Sequence, residues 1–193
     1  MEDKKVTNGL KELAIAALIG EGEFDNYSSG PVLKVPLDRK KTLYLIDIIK
    51  NKKLKDHVTI EPDKGQFSIH SHNTLNTLKE QWYKDNRKIF SMILDPKLIN
   101  LQSIIISINL FGDRKLETIS IPTNVDREHI KAISYCVEHH LQVPVIPSPN
   151  SIKITDIPTF VLNSVNDISA IHSVELLNYL TDKEKKSMME GAV

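Results

Sequence analysis

The stretch "LAIAALIGEGEF", residues 13–24, decides how this chain is read. It begins as an apolar helix of mostly small residues. It stops in Gly20-Glu21-Gly22-Glu23, where two carboxylates alternate with two glycines. A helix C-terminus carries a partial negative charge, so an acid there is unfavourable by roughly 0.3–1 kcal/mol. Something must offset that cost.

Working outward, residues 7–20 read as one helix, with Leu10, Leu13, Ala14, Ala17 and Leu18 at helical spacing. "EFDNY" and "PVLKVPL" read as strands around Ser28-Ser29-Gly30. "KKTLYLIDIIKN" is a helix. "HVTIEP" and "QFSIHS" are strands joined by Asp63-Lys64-Gly65, a turn that wants its glycine. "HNTLNTLKEQWY" is a helix with Asn73 as its expected cap. After Asp95-Pro96 the order starts again. A helix opens near the proline and runs to about Ile106. "SINLF" and "LETISIP" follow as strands around Gly112-Asp113. A helix opens near Asp126 with Glu128 in its first turn. "VPVIP" and "SIKITD" are strands, and "IPTFVLNSV" is a helix with proline near its start. The pattern αββαββα thus occurs twice, over residues 7–90 and 96–168, with a helical tail at 171–193. The expected fold class is α+β, two pseudo-symmetric repeats forming a saddle.

The bulk numbers fit this. Apolar content of 40% and charged content of 26% describe an ordinary globular chain. The one cysteine, Cys136, rules out an internal disulfide and any multi-cysteine zinc site. It fits an intracellular reducing compartment or an organelle matrix such as the mitochondrion. "MEDKKVTNGL" is not a signal peptide, and no apolar run reaches the roughly 20 residues of a membrane span. Net charge is zero, but it is unevenly spread. Residues 1–97 hold 17 basic and 14 acidic side chains, net +3, and residues 98–193 hold 8 and 11, net −3. A polyanion should lean on the first half. The candidates are Lys34, Arg39, Lys40, Lys41, Lys50, Lys52, Lys53 and Lys55, with Lys84, Arg87 and Lys88 beside Trp82 and Tyr83. Each phosphate contact would add to a salt-dependent affinity. The opposing reading is a solvated helix face for the lysines and an interior anchor for a half-buried Trp82.

A small-residue helix ending in Gly-acid-Gly, followed by ββαββα and a second such unit, resembles the LAGLIDADG homing endonucleases. The resemblance spans roughly residues 7–168. Ala16-Ala17-Leu18-Ile19-Gly20-Glu21-Gly22 is similar to the family signature. "QWYKDNRKI", residues 81–89, is similar to the segment before the second signature helix. The resemblance implies two signature helices packed through small residues on a pseudo-twofold axis, with the sheets forming a nucleic-acid cradle. Each helix would deliver one carboxylate to bound Mg²⁺, which activates water for phosphodiester cleavage. Glu21 is then the metal ligand, and Mg²⁺ would offset the dipole cost. Glu23 is not the matching position.

Two registers compete for the second signature. Counting from Asp95-Pro96 puts the acid near Ile105-Ile106 and the glycine on Ser107. The other matches Leu110-Phe111-Gly112-Asp113 to Leu18-Ile19-Gly20-Glu21, which supplies Asp113 but puts Arg114 in place of a glycine. The first is preferred, because the second leaves about 12 residues for two strands and a turn. In it the second carboxylate is gone. The second sheet is also sparse in bases, with Arg114, Lys115 and Lys153 its main candidates. His129, Cys136, His139 and His140 share one helix, with Asp126 before it; their spacing offers two metal ligands at best.

Three functions are open on this reading. One is a degenerate, cleavage-dead family member that needs no cofactor. It would bind RNA or DNA, maturase-like, or serve with protein partners in a larger ribonucleoprotein. The second is an active Mg²⁺-dependent DNA endonuclease using Glu21 and Asp113. The third is a protein-interaction scaffold.

Overall fold

The computed structural model describes residues 4–25, 30–70, 72–90 and 99–190. Residues 26–29, including the glycosylation-like triplet Asn26-Tyr27-Ser28, and the Asp95-Pro96 link lie outside them. The first repeat runs α1 (Lys4–Ile19), β1 (Glu23–Asp25), β2 (Val32–Pro36), α2 (Thr42–Lys52), β3 (Val58–Glu61), β4 (Gln66–Ile69) and α3 (Thr74–Trp82). A two-stranded hairpin follows, β5 (Tyr83–Lys84) and β6 (Arg87–Lys88). The second repeat runs α4 (Leu101–Phe111), β7 (Asp113–Lys115), β8 (Thr118–Pro122), α5 (Ile130–Leu141), β9 (Val145–Ser148), β10 (Ser151–Ile154) and α6 (Ile157–Ser164). The tail adds α7 (Ala170–Leu177) and α8 (Asp182–Glu190). No helix among the described residues is long and apolar enough to cross a membrane.

The sheets are antiparallel and ordered β1-β2-β4-β3 and β7-β8-β10-β9. Their registers superpose by residue. Lys34 faces Ser68, and Ser120 faces Lys153. Leu33 and Val35 correspond to Ile119 and Ile121, buried on the inner face, and Pro36 and Pro122 end both strands. Lys53 and Gln142, both left-handed at φ 57° and 56°, end the equivalent helices α2 and α5.

α1 packs along α4 on the pseudo-twofold. Every residue from Leu13 to Ile19 is buried, as is every residue from Ser103 to Leu110. A helix apolar all round needs such a central place. The expectation that the second helix ends near Ile106 is overturned, and "SINLF" is helix, not strand. Helix propensity penalises isoleucine by only a few tenths of a kcal/mol per residue, whereas burying each side chain contributes about 1.5–3. Ile104, Ile105, Ile106 and Ile108 are all fully buried. Asn100 caps the start, its Oδ1 accepting from the Ser103 N–H at 2.8 Å, and the Gly112 N–H closes the end on Ile108 O at 2.7 Å. The space expected to be too short for two strands holds them because β7 has three residues and Leu116, at φ 55°, tightens the turn.

Smaller expectations change too. Asn73 is helical and makes no cap; His72 Nδ1 accepts the Thr74 N–H instead, at 3.1 Å. α5 starts at Ile130, not near Asp126, whose carbonyl closes a preceding turn with the His129 N–H at 2.8 Å. Trp82 is fully buried beside Phe90, with ring centres 5.2 Å apart.

The tail is tied to both repeats. Lys41 pairs with Glu175 at 2.7 Å, and Arg114 grips Glu184 with two bonds of 2.8 and 2.9 Å. Arg114 holds the Glu184 carboxyl well below the usual carboxylate range. Inside, Asn109 Nδ2 donates to both His172 O and Tyr44 Oη at 3.2 Å. The Tyr44 hydroxyl and His172 Nδ1 lie 2.8 Å apart, and the hydroxyl donates when the ring proton is on Nε2. That bond needs a neutral imidazole, and burial, with Lys52 nearby, pushes His172 down to about 4. The unfolded chain takes up this proton below about pH 6.5, but the folded chain does so only near 4. Stability is therefore complete above pH 6.5 and falls as pH drops toward 4. Urea unfolding at pH 7 and pH 5 should differ by roughly 2 kcal/mol from this group. A His172→Phe chain should lose that part of the pH dependence.

Candidate nucleic-acid interface and carboxylate cleft

Alternation along the strands leaves one face of each sheet uncovered. In the first sheet a cross-strand row reads Glu23, Lys34, Ser68, Thr59. In the second the equivalent row reads Asp113, Ser120, Lys153, Ile146. Lys34 is half exposed and pairs with Asp25 at 2.8 Å. Each central row thus carries one acid and one lysine, and neither sheet is strongly basic.

By strand register Asp113 corresponds to Glu23. By helix end, Gly112 corresponds to Gly20, whose N–H reaches Ala16 O at 3.2 Å. Both hold only if two residues, Glu21 and Gly22, have no counterpart in the second repeat. The structure nevertheless brings Glu21 and Asp113 together. Both line a cleft of about 590 Å³, with Lys40, Lys41, Arg114 and Tyr179 among its walls.

The positive partner of the α1 terminus is Lys88. Its Nζ donates to Gly20 O and Gly22 O, each at 2.9 Å, and to Asn124 Oδ1. Three acceptors match the three N–H bonds of an ammonium. Burial pulls this lysine down to about 7, while Glu23 and Glu21 hold it up. The dipole cost that Mg²⁺ was expected to offset is met by a side chain of the chain itself. Lys88 is correspondingly buried and does not reach out as a phosphate contact. The β5–β6 hairpin delivers it. Asp85 and Asn86, at φ 50° and 59°, form the two-residue turn that such a hairpin favours. An Asp-Asn pair between short polar runs was the signal available in the sequence.

The other expected contacts separate. Arg39 and Lys40 are exposed at the cleft end, before α2, and Lys84 and Arg87 are exposed on the hairpin, Arg87 near Asp126 at 3.3 Å. Lys41 is taken by Glu175 and lies over the Tyr179 ring. Lys52 pairs with Glu12 at 2.6 Å and packs on Gly9. Lys50, Lys53 and Lys55 are exposed at that same end. The twelve residues from Gly9 to Glu21 span about 18 Å of helix, so this cluster lies away from the cleft. Arg114 turns to the tail rather than to the open face. On α5, His129 Nδ1 meets Phe90 O at 2.8 Å and Cys136 is buried. The described residues contain no group of three or more metal-ligating side chains.

Gly20 faces the Phe111 ring, not the backbone of α4. A Cβ there would meet Phe111 Cδ2 at 2.7 Å. The half-buried ring can tilt, so Gly20→Ala should destabilise by only about 1 kcal/mol, and Gly20→Val by more. Thermal denaturation of both variants checks this; a Gly20→Ala protein more stable than wild type would show that the ring yields at no cost.

No family model and no curated protein matches the chain. Among solved structures it is similar to the homing endonuclease I-WcaI bound to its DNA recognition sequence. The TM-score is 0.61 at 14% identity, covering 90% of this chain and 87% of that one. The fold is that of the LAGLIDADG homing endonucleases, α+β with a pseudo-symmetric arrangement.

Proposed function

We propose that this protein binds nucleic acid across the open faces of its two sheets and has lost double-strand cleavage. The observation that carries this is the missing Glu21-Gly22 pair in the second repeat. One helix end projects an acid from a turn, while the other passes directly into a strand at Asp113. The similarity of the whole fold to a homing endonuclease bound to its DNA recognition sequence supports a nucleic-acid partner. With Lys34, Lys40, Lys84, Arg87 and Lys115 exposed and Lys153 half-buried as the bases offered to that face, few phosphates are neutralised. Fluorescence anisotropy with long duplex DNA and structured RNA should show binding at low salt with a shallow log–log salt slope, of about −2 to −4. Lys34→Ala with Lys153→Ala should flatten it by about 2. Lys50, Lys53 and Lys55 changed to Ala should leave it unchanged. Absence of any low-salt binding would sink the proposal and favour a protein-interaction scaffold.

A second reading rests on the shared cleft. Glu21 and Asp113 are two carboxylates facing one space, and Mg²⁺ is commonly held by one or two carboxylates together with substrate phosphates. The carbonyls of Gly20 and Gly22 are taken by Lys88, so these two acids would hold the ion. When bound, Mg²⁺ would activate water and stabilise the leaving oxygen. Mg²⁺-dependent nicking of long DNA that vanishes in Glu21→Gln would establish this reading over the first.

A further inference from the structure

The cleft that holds Glu21 and Asp113 is lined by three bases, Lys40, Lys41 and Arg114, and three acids, Glu21, Asp38 and Asp113. Two of those bases are spent on the tail, Lys41 on Glu175 and Arg114 on Glu184. With both tail acids counted, three positive charges meet five negative ones, net −2. A phosphate is repelled there while the tail is in place. The two tail contacts differ in strength. α7 is anchored by His172 and Leu176, both buried. α8 has no buried side chain among those described; Glu184, Lys185 and Met188 are half-buried, and Met188 touches the core. An element with so little buried area belongs to the low-stability end of a fold.

Arg114 is held independently of that helix. Its Nε donates to Leu116 O at 3.0 Å, and its Nη1 donates to Tyr179 O. These two carbonyls fix the guanidinium plane whether or not Glu184 is present. One further N–H of Nη1 and one of Nη2 grip the Glu184 carboxylate, at 2.8 and 2.9 Å. The same two-pronged geometry serves arginine for a phosphate. The cleft wall in which Arg114 stands includes Asp113, the first member of the second sheet's open row. We propose that α8 is a displaceable cover over Arg114, with Glu184 occupying the place of a backbone phosphate of bound nucleic acid. The proposal rests on the reading that the chain binds nucleic acid. Lifting α8 removes one acid from the rim of the cleft and exposes a guanidinium that is already positioned. Carboxylate and phosphate therefore compete for one fork, and the tail lowers affinity by as much as that one contact is worth.

The test is Glu184→Gln in the full chain. Glutamine keeps an acceptor for the Thr181 N–H, which Glu184 now binds at 2.7 Å, but removes the charge on Arg114. Anisotropy with long duplex DNA over a salt series should give a log–log slope steeper than wild type by about 1. Affinity near 0.1 M salt should rise roughly five- to tenfold. Adding Arg114→Gln should cancel both gains. A role confined to holding the tail would lower the melting temperature of Glu184→Gln and leave the slope where it was. The wild-type chain gives a second measurement that needs no variant. Saturating duplex at low salt should speed amide hydrogen exchange along α8 as the carboxylate is displaced. An unchanged slope in Glu184→Gln, or α8 amides no faster with DNA bound, overturns the cover and leaves the nucleic-acid reading intact. Binding by Glu184→Gln alone supports a cover that is complete in the wild type. No low-salt binding by either chain sinks both.

Discussion

Lys88→Met is expected to lower the melting temperature by about 10 °C. The substitution preserves length and apolar stem but removes three donors. Gly20 O, Gly22 O and Asn124 Oδ1 are left facing an apolar group. Glu21 and Glu23 then stand at the negative end of α1 with no cation between them. Two effects compete. Burial of the ammonium is itself costly, as its fall to about 7 shows. Exchanging a whole buried ionic group for apolar packing can be neutral, but removing one partner alone typically costs about 3–5 kcal/mol. Here only one partner goes, so the loss wins. At roughly 2–4 °C per kcal/mol for a domain of this size, the shift is readily measured by calorimetry. A Lys88→Met protein as stable as wild type would show that the carbonyls are rehydrated and that the ammonium is not what closes this helix.

The second large effect is expected at Gly112, where α4 meets β7. A Cβ there would press on the Ile108 carbonyl oxygen, on the Tyr179 hydroxyl at 2.8 Å and on Ile119 Cγ2 at 2.9 Å. Unlike Phe111 beside Gly20, none of these is the loose end of a flexible side chain. The Tyr179 hydroxyl is fixed by bonds to Ile108 O at 2.6 Å and Gly112 O at 3.0 Å. Overpacking costs about 1–3 kcal/mol, and each displaced hydrogen bond adds about 1. Gly112→Ala should therefore destabilise by about 4 kcal/mol, several times the effect at Gly20. Denaturant unfolding measures it, and a double-mutant cycle with Tyr179→Phe locates it. Coupling is expected because the two groups touch. Strict additivity would mean that the methyl group clashes with Ile108 and Ile119 alone.

The repeated αββαββα order was legible because most of its turns are marked by Gly, Pro, Asn or Asp; the β7–β8 turn at Leu116-Glu117 carries no such mark. Glu21 was legible as an anomaly, an acid at the wrong end of a helix. The second helix was misjudged because three isoleucines look like a strand when local preference is weighed without burial. Its boundaries were nevertheless marked, by Asn100 as cap and Gly112 as stop, with neither Gly nor Pro between. Lys88 was not legible as an interior cation. Nothing in "NRK" distinguishes a buried lysine from its exposed neighbours, because burial is decided by the hairpin that turns it inward. His172 was invisible for the same reason. Its partners Tyr44 and Asn109 are 128 and 63 residues away, and only the packed tail brings them together.

The buried seam of α1 against α4 also sets a problem of timing during synthesis. The second half of α1, Leu13 to Ile19, is apolar around its whole circumference, and α4, which packs along it, is made some 90 residues later. At ribosomal rates of roughly 5–20 residues per second, that is a wait of about 5–20 s. Through that interval the nascent chain carries a sticky helix with no mate. The first repeat is therefore a natural client for a holding chaperone, and an obvious place for one nascent chain to seize another copy's α1.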